Sequence, residues 1–294
     1  MQQRFLSKLA FWQKSHSSAK VGIYIDADEI TAYQGGESPS LIKIPLIKQD
    51  WQLAFATLAT QIPRANLHIV LSDCYYQLLL VDKPPVADEE MGQALLWSIK
   101  DMVAKPVNEL HLDYFEAPQS RSNKLTVVVV ERAMLSALAL AAKQHEITIA
   151  GIGIEEIAIS NYQVSDSQAR LVLCHTPNSD LMLAVIKQGQ LFMQRSVRGF
   201  NQINTVSAAD LRLEIADNLS IELQRSMDYF ESQFRQAPVA SIDLLMEGDR
   251  NELAHLLSAN FDQKVEVIPC ERVADKLAEF AYAEFSRNAQ PEEA

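Results

Sequence analysis

One pattern occurs twice along this chain, and it limits the possible folds more than any other feature. In its first occurrence Lys20–Asp26, Glu29–Tyr33 and Leu41–Leu46 read as strands, with Gly35-Gly36 at the second turn. Arg170–Cys174, Leu181–Ile186 and Leu191–Val197 repeat it, with Gln188-Gly189 as the turn. Short apolar runs bounded by glycine turns read as antiparallel hairpins. Each set then leads into helices alternating with buried strands, the order expected of a parallel sheet. The first half continues with a helix at 50–61 stopped by Pro63, then strands Leu67–Leu71 and Tyr75–Val81. A helix from Asp88 runs to Pro106 with Met91, Leu95, Ile99 and Met102 on one face. Strands Glu109–Glu116 and Leu125–Val130, helix 132–144, strand Thr148–Ile152 and a short helix within 153–163 complete this half. The polar stretch Ser165-Asp166-Ser167-Gln168 reads as the break between halves.

The second half is built around a long helix from Asp210 to about Gln233. Leu211, Ile215, Leu219, Leu223, Met227, Phe230 and Phe234 step by four, four, four, four, three and four, one continuous apolar face. Ser207 reads as its N-cap, and Pro238 forbids much extension beyond Ala237. Burying each stripe residue is worth about 1.5–3 kcal/mol, which makes this helix a main support of a core. Its other face carries Glu222, Arg225, Asp228 and Glu231, an ordinary solvated face with i,i+3 pairs on a plain reading. Strand Ile242–Met246, helix Asn251–Asn260, strand Val265–Ile268 and helix Val273–Phe285 follow.

Charge and composition exclude several functions. A net charge of -12 opposes general nucleic-acid binding, which needs basic stripes to displace counterions from phosphate. Cys74, Cys174 and Cys270 are too scattered for a disulfide framework or a zinc site, which suits a reducing cytoplasm. The longest charge-free stretch, 51–63, is too short to span a membrane, and no secretory leader is expected. Residues 1–19 differ from the rest: Arg4, Lys8 and Lys14 stand without any acid, and Phe5, Leu6, Leu9 and Trp12 recur at helical spacing. Such a basic amphipathic arm could lie on an anionic membrane surface or pack on its own body.

Three antiparallel strands leading into alternating helices and strands, twice over, describe a duplicated two-lobe α/β fold of the actin/Hsp70/RNase H-like kind. Expected boundaries are an arm at 1–19, a first lobe at 20–85, an inserted small α/β subdomain and return at 86–167, a second lobe with the C-terminal helix at 168–286, and a disordered tail at 287–294. Two stretches carry a family resemblance. Leu219–Phe230, LSIELQRSMDYF, resembles the L-x-x-E-I-x-R-S-L-D-Y-Y stretch of PilM-type proteins of type IV pilus assembly, with Glu222, Arg225, Ser226, Asp228 and Tyr229 on matching positions. Lys83–Asp113 is also similar to that family, and its Trp97-Ser98-Ile99-Lys100-Asp101 followed by Lys105-Pro106 is most similar to the MshI proteins of mannose-sensitive haemagglutinin (MSHA) pilus biogenesis. The resemblance implies a cytoplasmic actin-like scaffold beside the inner membrane. It would hold the cytoplasmic N-terminus of a PilN-like bitopic protein, MshJ in MshI systems.

An actin-like fold implies a cleft for ATP and magnesium, and backbone N–H groups at glycine turns cradle the phosphates of such a ligand. Here the first-lobe turn reads Asp26-Ala27-Asp28, with a carboxylate where glycine is expected. Two unit charges about 4 Å apart repel by about 4 kcal/mol at an effective dielectric near 20, an effect magnesium would partly offset. The second-lobe turn reads Cys174-His175-Thr176-Pro177, lacking both acid and glycine. The expected adenosine-side Gly-Gly appears as Glu247-Gly248. By the resemblance Glu222 and Arg225 lie towards this cleft. These departures favour a scaffold that does not hydrolyse ATP; the alternative is an active ATPase whose nucleotide state regulates the partner.

Other chemistry finds no support. The six histidines lack metal-ligand spacing, and there is no H-E-x-x-H or C-x-x-C. Cys174 and His175 are adjacent on a strand and point to opposite faces, so a nucleophile pair is not expected. Gly151-Ile152-Gly153 lacks the third glycine of a dinucleotide loop. Trp97 lies off the apolar stripe of its helix, either exposed for a partner or widening the buried face. Trp97 and Lys100 belong to the inserted subdomain that borders the peptide groove in the family, and are carried as partner contacts.

Overall fold

The computed structural model describes residues 18–118 and 123–287. The basic arm before residue 18 and the tail after Arg287 therefore lie outside the described residues. The described residues divide into two compact units, one formed by 18–116, 123–155 and 277–287, the other by 117–118 and 156–276.

The first unit is built on five strands: β1 (Lys20–Ile25), β2 (Glu29–Gln34), β3 (Ser40–Pro45), β4 (Asn66–Leu71) and β8 (Thr148–Ile154). Their order is β3-β2-β1-β4-β8, with β2 antiparallel to its neighbours and β4 and β8 parallel to β1. Helix α1 (Trp51–Gln61), capped by the Asp50 side chain on the Leu53 N–H, connects β3 to β4. Between β4 and β8 the chain inserts a separate antiparallel sheet. It comprises β5 (Tyr76–Asp82), β6 (Leu110–Phe115) and β7 (Lys124–Glu131) in the order β5-β7-β6, with helix α2 (Asp88–Ile99) on one face. Helix α3 (Arg132–Gln144) precedes β8, and the short α4 (Glu155–Ile159) follows it in the chain.

The second unit repeats the order without the insertion. Strands β9 (Arg170–Cys174), β10 (Leu181–Lys187), β11 (Gln190–Val197), β12 (Ser241–Leu245) and β13 (Lys264–Val267) are arranged β11-β10-β9-β12-β13. Only α7 (Arg250–Ser258) separates β12 from β13, where the first unit holds a whole extra sheet. The duplicated α/β architecture and its inserted subdomain are thus present as the strand pattern predicts.

The long helix differs in one turn from its sequence reading. It runs as α5 (Ala208–Asp210), a π turn at Leu211–Ile215 and α6 (Ala216–Phe234). Ser207 caps it, its hydroxyl accepting from the Asp210 N–H at 3.3 Å. The wide π turn carries one extra residue, so the buried face passes from Leu211 to Ala216 and leaves Ile215 half-buried. From Leu219 the predicted stripe holds: Leu219, Leu223, Met227 and Phe230 are buried. The helix ends before Pro238 takes effect, because Arg235 adopts the left-handed conformation at φ 51°.

Three further expectations are corrected. Helix α2 stops at Ile99, where the Met102 N–H closes a turn on the Ile99 carbonyl, so Met102 is exposed rather than on the buried face. The break between units falls at Glu155/Glu156 and not at 165–168. That stretch is tied to the second unit by Asp166, whose carboxylate lies 2.7 Å from the Arg170 guanidinium. The last helix, α8 (Val273–Arg287), belongs from Leu277 onward to the first unit and not to the second lobe. Gly22 explains this packing: a Cβ there would lie 2.1 Å from the Tyr282 nitrogen and 2.2 Å from the Ala278 carbonyl, so only glycine admits the helix backbone against β1.

Candidate functional site

The β1–β2 turn ties its first acid to its own neighbours. The Asp26 N–H donates to the Glu29 carbonyl at 2.9 Å, and the Ala27 N–H donates to the Asp26 carboxylate at 2.7 Å. Ser72 Oγ donates to the same carboxylate oxygen at 3.2 Å, and the Tyr75 hydroxyl donates to the Asp26 carbonyl at 3.0 Å. Burial first, then the neighbouring Cys74, Asp26 and Asp28, push the Tyr75 hydroxyl well above its ordinary range, so it stays a donor. Asp28 is exposed, while its carbonyl accepts from the Leu46 N–H at 2.7 Å.

The β9–β10 turn is longer and built differently. The His175 N–H donates to the Leu245 carbonyl at 3.0 Å, prolonging the ladder onto β12, and the Ser179 N–H donates to the Thr176 carbonyl at 3.2 Å. Pro177 has no N–H, and Asn178 takes the left-handed conformation at φ 68°. Cys174 and His175 are both buried, and burial lowers the His175 ring below the ordinary histidine value. Neither ring nitrogen makes a well-formed hydrogen bond, although backbone groups of Asn201 and Ser179 favour the protonated ring.

On α6, Glu222 is held by two arginines. Arg225 Nη1 lies 2.5 Å from one carboxylate oxygen, and Arg195 of β11 binds the other. The buried Ser226 hydroxyl donates to the Glu222 carbonyl at 2.8 Å, engaging the motif serine within its own helix. Glu247 accepts from the Val273 N–H at 3.0 Å and so caps the start of α8. Gly248 has φ 83°, and a Cβ there would lie 2.2 Å from the Asn204 carbonyl, so glycine is needed for the chain's close approach. The predicted cleft residues thus fall into two sets, Asp26 and Asp28 in the first unit and Glu222, Arg225, Glu247 and Gly248 in the second. Among the described residues no group of three or more His, Cys, Asp and Glu is placed to hold a metal ion.

Trp97 is 67% exposed on the outer side of α2, with Lys100 Nζ 5.4 Å from its ring centroid. Of the two readings of this residue, the structure shows the exposed one.

The inserted sheet carries a second feature that sequence reading missed. Leu79 and Val81 of β5 and Leu125, Val127 and Val129 of β7 pack with α2. The alternation of a strand sends Leu78, Leu80, Val128, Val130, His111 and Asp113 to the opposite face. There Leu80 is 59% exposed, whereas Val128 and Val130 are buried, with only a small pocket left between them and β8. His111, Asp113, Val128, Val130 and Ile152 to Ile154 line it. His111 Nε2 is buried and has no hydrogen-bond partner. Burial lowers the His111 ring below the ordinary value, the Asp113 charge opposing and the Arg132 charge adding to that shift. The available signal was the unbroken runs Leu78-Leu79-Leu80 and Val127–Val130, which are apolar on both strand faces although one helix covers only one of them.

No family model and no curated protein matches the sequence. Solved structures do match in fold. The chain is similar to the PilM-PilN type IV pilus biogenesis complex at a TM-score of 0.60 and 16% identity, over 93% of this chain and 99% of that one. It is similar to the cytoplasmic domain of EpsL, an inner-membrane component of the type II secretion system of Vibrio cholerae, at 0.54 and 12%, over 94% and 97%. A protein of unknown function from Bacteroides thetaiotaomicron, described as having an actin-like ATPase fold, matches at 0.53 and 10%, over 90% and 95%. The fold is actin-like. Among the described residues no helix is long and apolar enough to cross a membrane.

Proposed function

We propose that this protein is an actin-like scaffold of type IV pilus biogenesis, of the MSHA kind, that holds the cytoplasmic N-terminal peptide of a PilN/MshJ-like inner-membrane protein. The observation that carries this reading is the inserted sheet's second apolar face, on which Leu80 is exposed to solvent away from α2. An exposed apolar side chain on a sheet face gives an extended peptide a point of anchoring. Trp97 and Lys100 lie on the same subdomain and are proposed as additional contacts. The protein then works in the cytoplasm at the inner membrane, reached through its partner and through the basic residues before position 18.

The scaffold acts without ATP hydrolysis. Three observations support this part of the reading. The first-turn N–H groups of Asp26 and Ala27 are engaged locally, Glu222 is neutralised by two arginines, and Glu247 caps α8. These residues do not fit ATP and magnesium as they stand. Two calorimetric titrations of the full chain test both parts. A synthetic peptide copying the PilN-like partner's cytoplasmic N-terminus is expected to bind with micromolar affinity, and Mg-ATP is expected to give no heat of binding. Absence of peptide binding refutes the scaffold, and micromolar Mg-ATP binding favours the regulated ATPase.

A further inference from the structure

Independently of the partner peptide, we propose that the chain's own basic amphipathic segment, residues 1–17, covers the outward face of α1 and α3. These two helices pack against each other. Ala54, Phe55 and Leu58 of α1 and Leu138 and Ala141 of α3 are buried. The helical period then turns Leu53, Thr57 and Thr60 of α1, and Ala133, Ala137 and Leu140 of α3, outward. Leu53 is 55% exposed and Leu140 52%. The Thr57 hydroxyl donates to the Leu53 carbonyl at 2.8 Å and the Thr60 hydroxyl to the Thr57 carbonyl at 2.7 Å, so neither donates outward. Helix α1 also carries no charged residue. An uncharged, apolar surface of this kind is a docking face.

The place where the segment joins the first unit selects it as the occupant. The Asn66 N–H donates to the Ala19 carbonyl at 2.8 Å, and the Thr148 N–H donates to the Ala65 carbonyl at 2.9 Å. Asn66 and Thr148 open the strands that follow α1 and α3, so Ser18 and Ala19 sit at the C-terminal end of both helices. At 1.5 Å per residue, 17 residues of helix reach about 25 Å, against about 16 Å for the 11 residues of α1 and about 20 Å for the 13 of α3. On the same rise Trp12 and Leu9 fall about 9 and 14 Å back from Ser18, while Leu140 and Leu53 stand about 6 and 12 Å back from the ends of their helices. Phe5, Leu6, Leu9 and Trp12 share one side at helical spacing, and Arg4 and Lys14 fall opposite, with Lys8 at the flank. A segment seated by its apolar residues therefore keeps its charges in water.

The test is amide hydrogen exchange of the full chain, read on residues 5–14. Docking predicts exchange at least tenfold slower than in a synthetic peptide of residues 1–17, at every protein concentration. Leu53→Lys combined with Leu140→Lys, checked for folding by circular dichroism, is expected to bring exchange to the rate of the peptide. Should the double variant fail to fold, the two single variants decide, each with exchange expected to rise at least threefold. Exchange as fast in the intact protein as in the peptide overturns the docking; if slowing then appears only on adding phosphatidylglycerol vesicles, lipid is the occupant. Slow exchange that persists in the folded variants overturns the placement on α1 and α3. Slowing that appears only as protein concentration rises overturns the intramolecular contact and assigns the face to a second copy of the chain. None of these outcomes depends on binding of the partner peptide.

Discussion

The two sheets place different groups at equivalent positions of their central parallel strand. β4 pairs with β1 so that Asn66 meets Lys20 and His68 meets Gly22; β12 pairs with β9 so that Ser241 meets Arg170 and Asp243 meets Val172. The third residue of the strand is therefore a buried histidine in one unit and a buried aspartate in the other. His68 packs edge-on against Phe285 with ring centroids 4.4 Å apart, and burial keeps it below the ordinary histidine pKa, with Glu284 opposing. Asp243 lies 3.1 Å from Arg170, which also reaches Asp166 and Glu266. Burial raises the Asp243 carboxyl above its ordinary value even against that guanidinium. The first strand starts with a cation in both, but Lys20 lies over the Phe285 ring, 5.4 Å from its centroid, while Arg170 serves three carboxylates. The duplicated architecture thus rests on aromatic packing with α8 in one unit and on an ion network in the other.

The largest effect is expected from breaking the ion network. Arg170→Met leaves Asp243 buried without its partner and should cost about 3–5 kcal/mol in chemical denaturation. Adding Asp243→Leu removes the stranded charge and should recover most of that loss; if the double variant is as unstable as the single one, the network is not what holds the second sheet. The matching test in the first unit is Gly22→Ala. Its Cβ would press on the Tyr282 and Ala278 backbone of α8, and overpacking of this kind costs about 1–3 kcal/mol. An unchanged melting temperature would show that α8 can move away freely.

Acid separates the units more gently. His68, His111 and His175 all have lowered pKa values with burial as the first cause. Groups depressed in the folded state give stability that is full above the unfolded value, about 6.5, and is lost as pH falls from there through the folded value. The Asp243 carboxyl has the opposite sign: its raised value means that acidification removes a cost. Unfolding free energy should therefore fall below pH 6.5, by at most about 1.4 kcal/mol per pH unit for each histidine. His68→Phe should flatten the slope, and an identical slope would remove His68 from this account.

The smallest effect concerns the turns. The β1–β2 turn keeps its acid and binds it to Ala27 and Ser72, whereas the β9–β10 turn has no acid at its start and carries a buried histidine. Asp28→Gly removes one exposed carboxylate but leaves the Asp26 and Ala27 N–H groups engaged, so Mg-ATP should still not shift the melting temperature. A clear upward shift in that variant would show that charge alone closes the turn to phosphate.

Much of this architecture was legible in the order of residues. Alternating apolar positions and glycine turns marked the strands, and the spacing from Leu219 to Phe230 marked the buried face of α6, because period and burial are local properties of a helix or strand. The cleft residues were legible as motif positions only; that Glu222 binds Arg195, or that Glu247 caps α8, joins residues distant in sequence. The π turn at Leu211–Ile215 was hidden for a similar reason, since packing against the core and not the four-residue spacing selects Ala216 over Ile215. The sequence by itself determined the duplicated strand order and the main amphipathic helix. Tertiary structure alone decided that α8 from Leu277 joins the first unit and that Val128 and Val130 of the inserted sheet are buried while Leu80 on the same face is exposed. The first depends on close approach between backbones far apart in the chain, at Gly22, where a missing side chain has meaning only once its neighbour is in place.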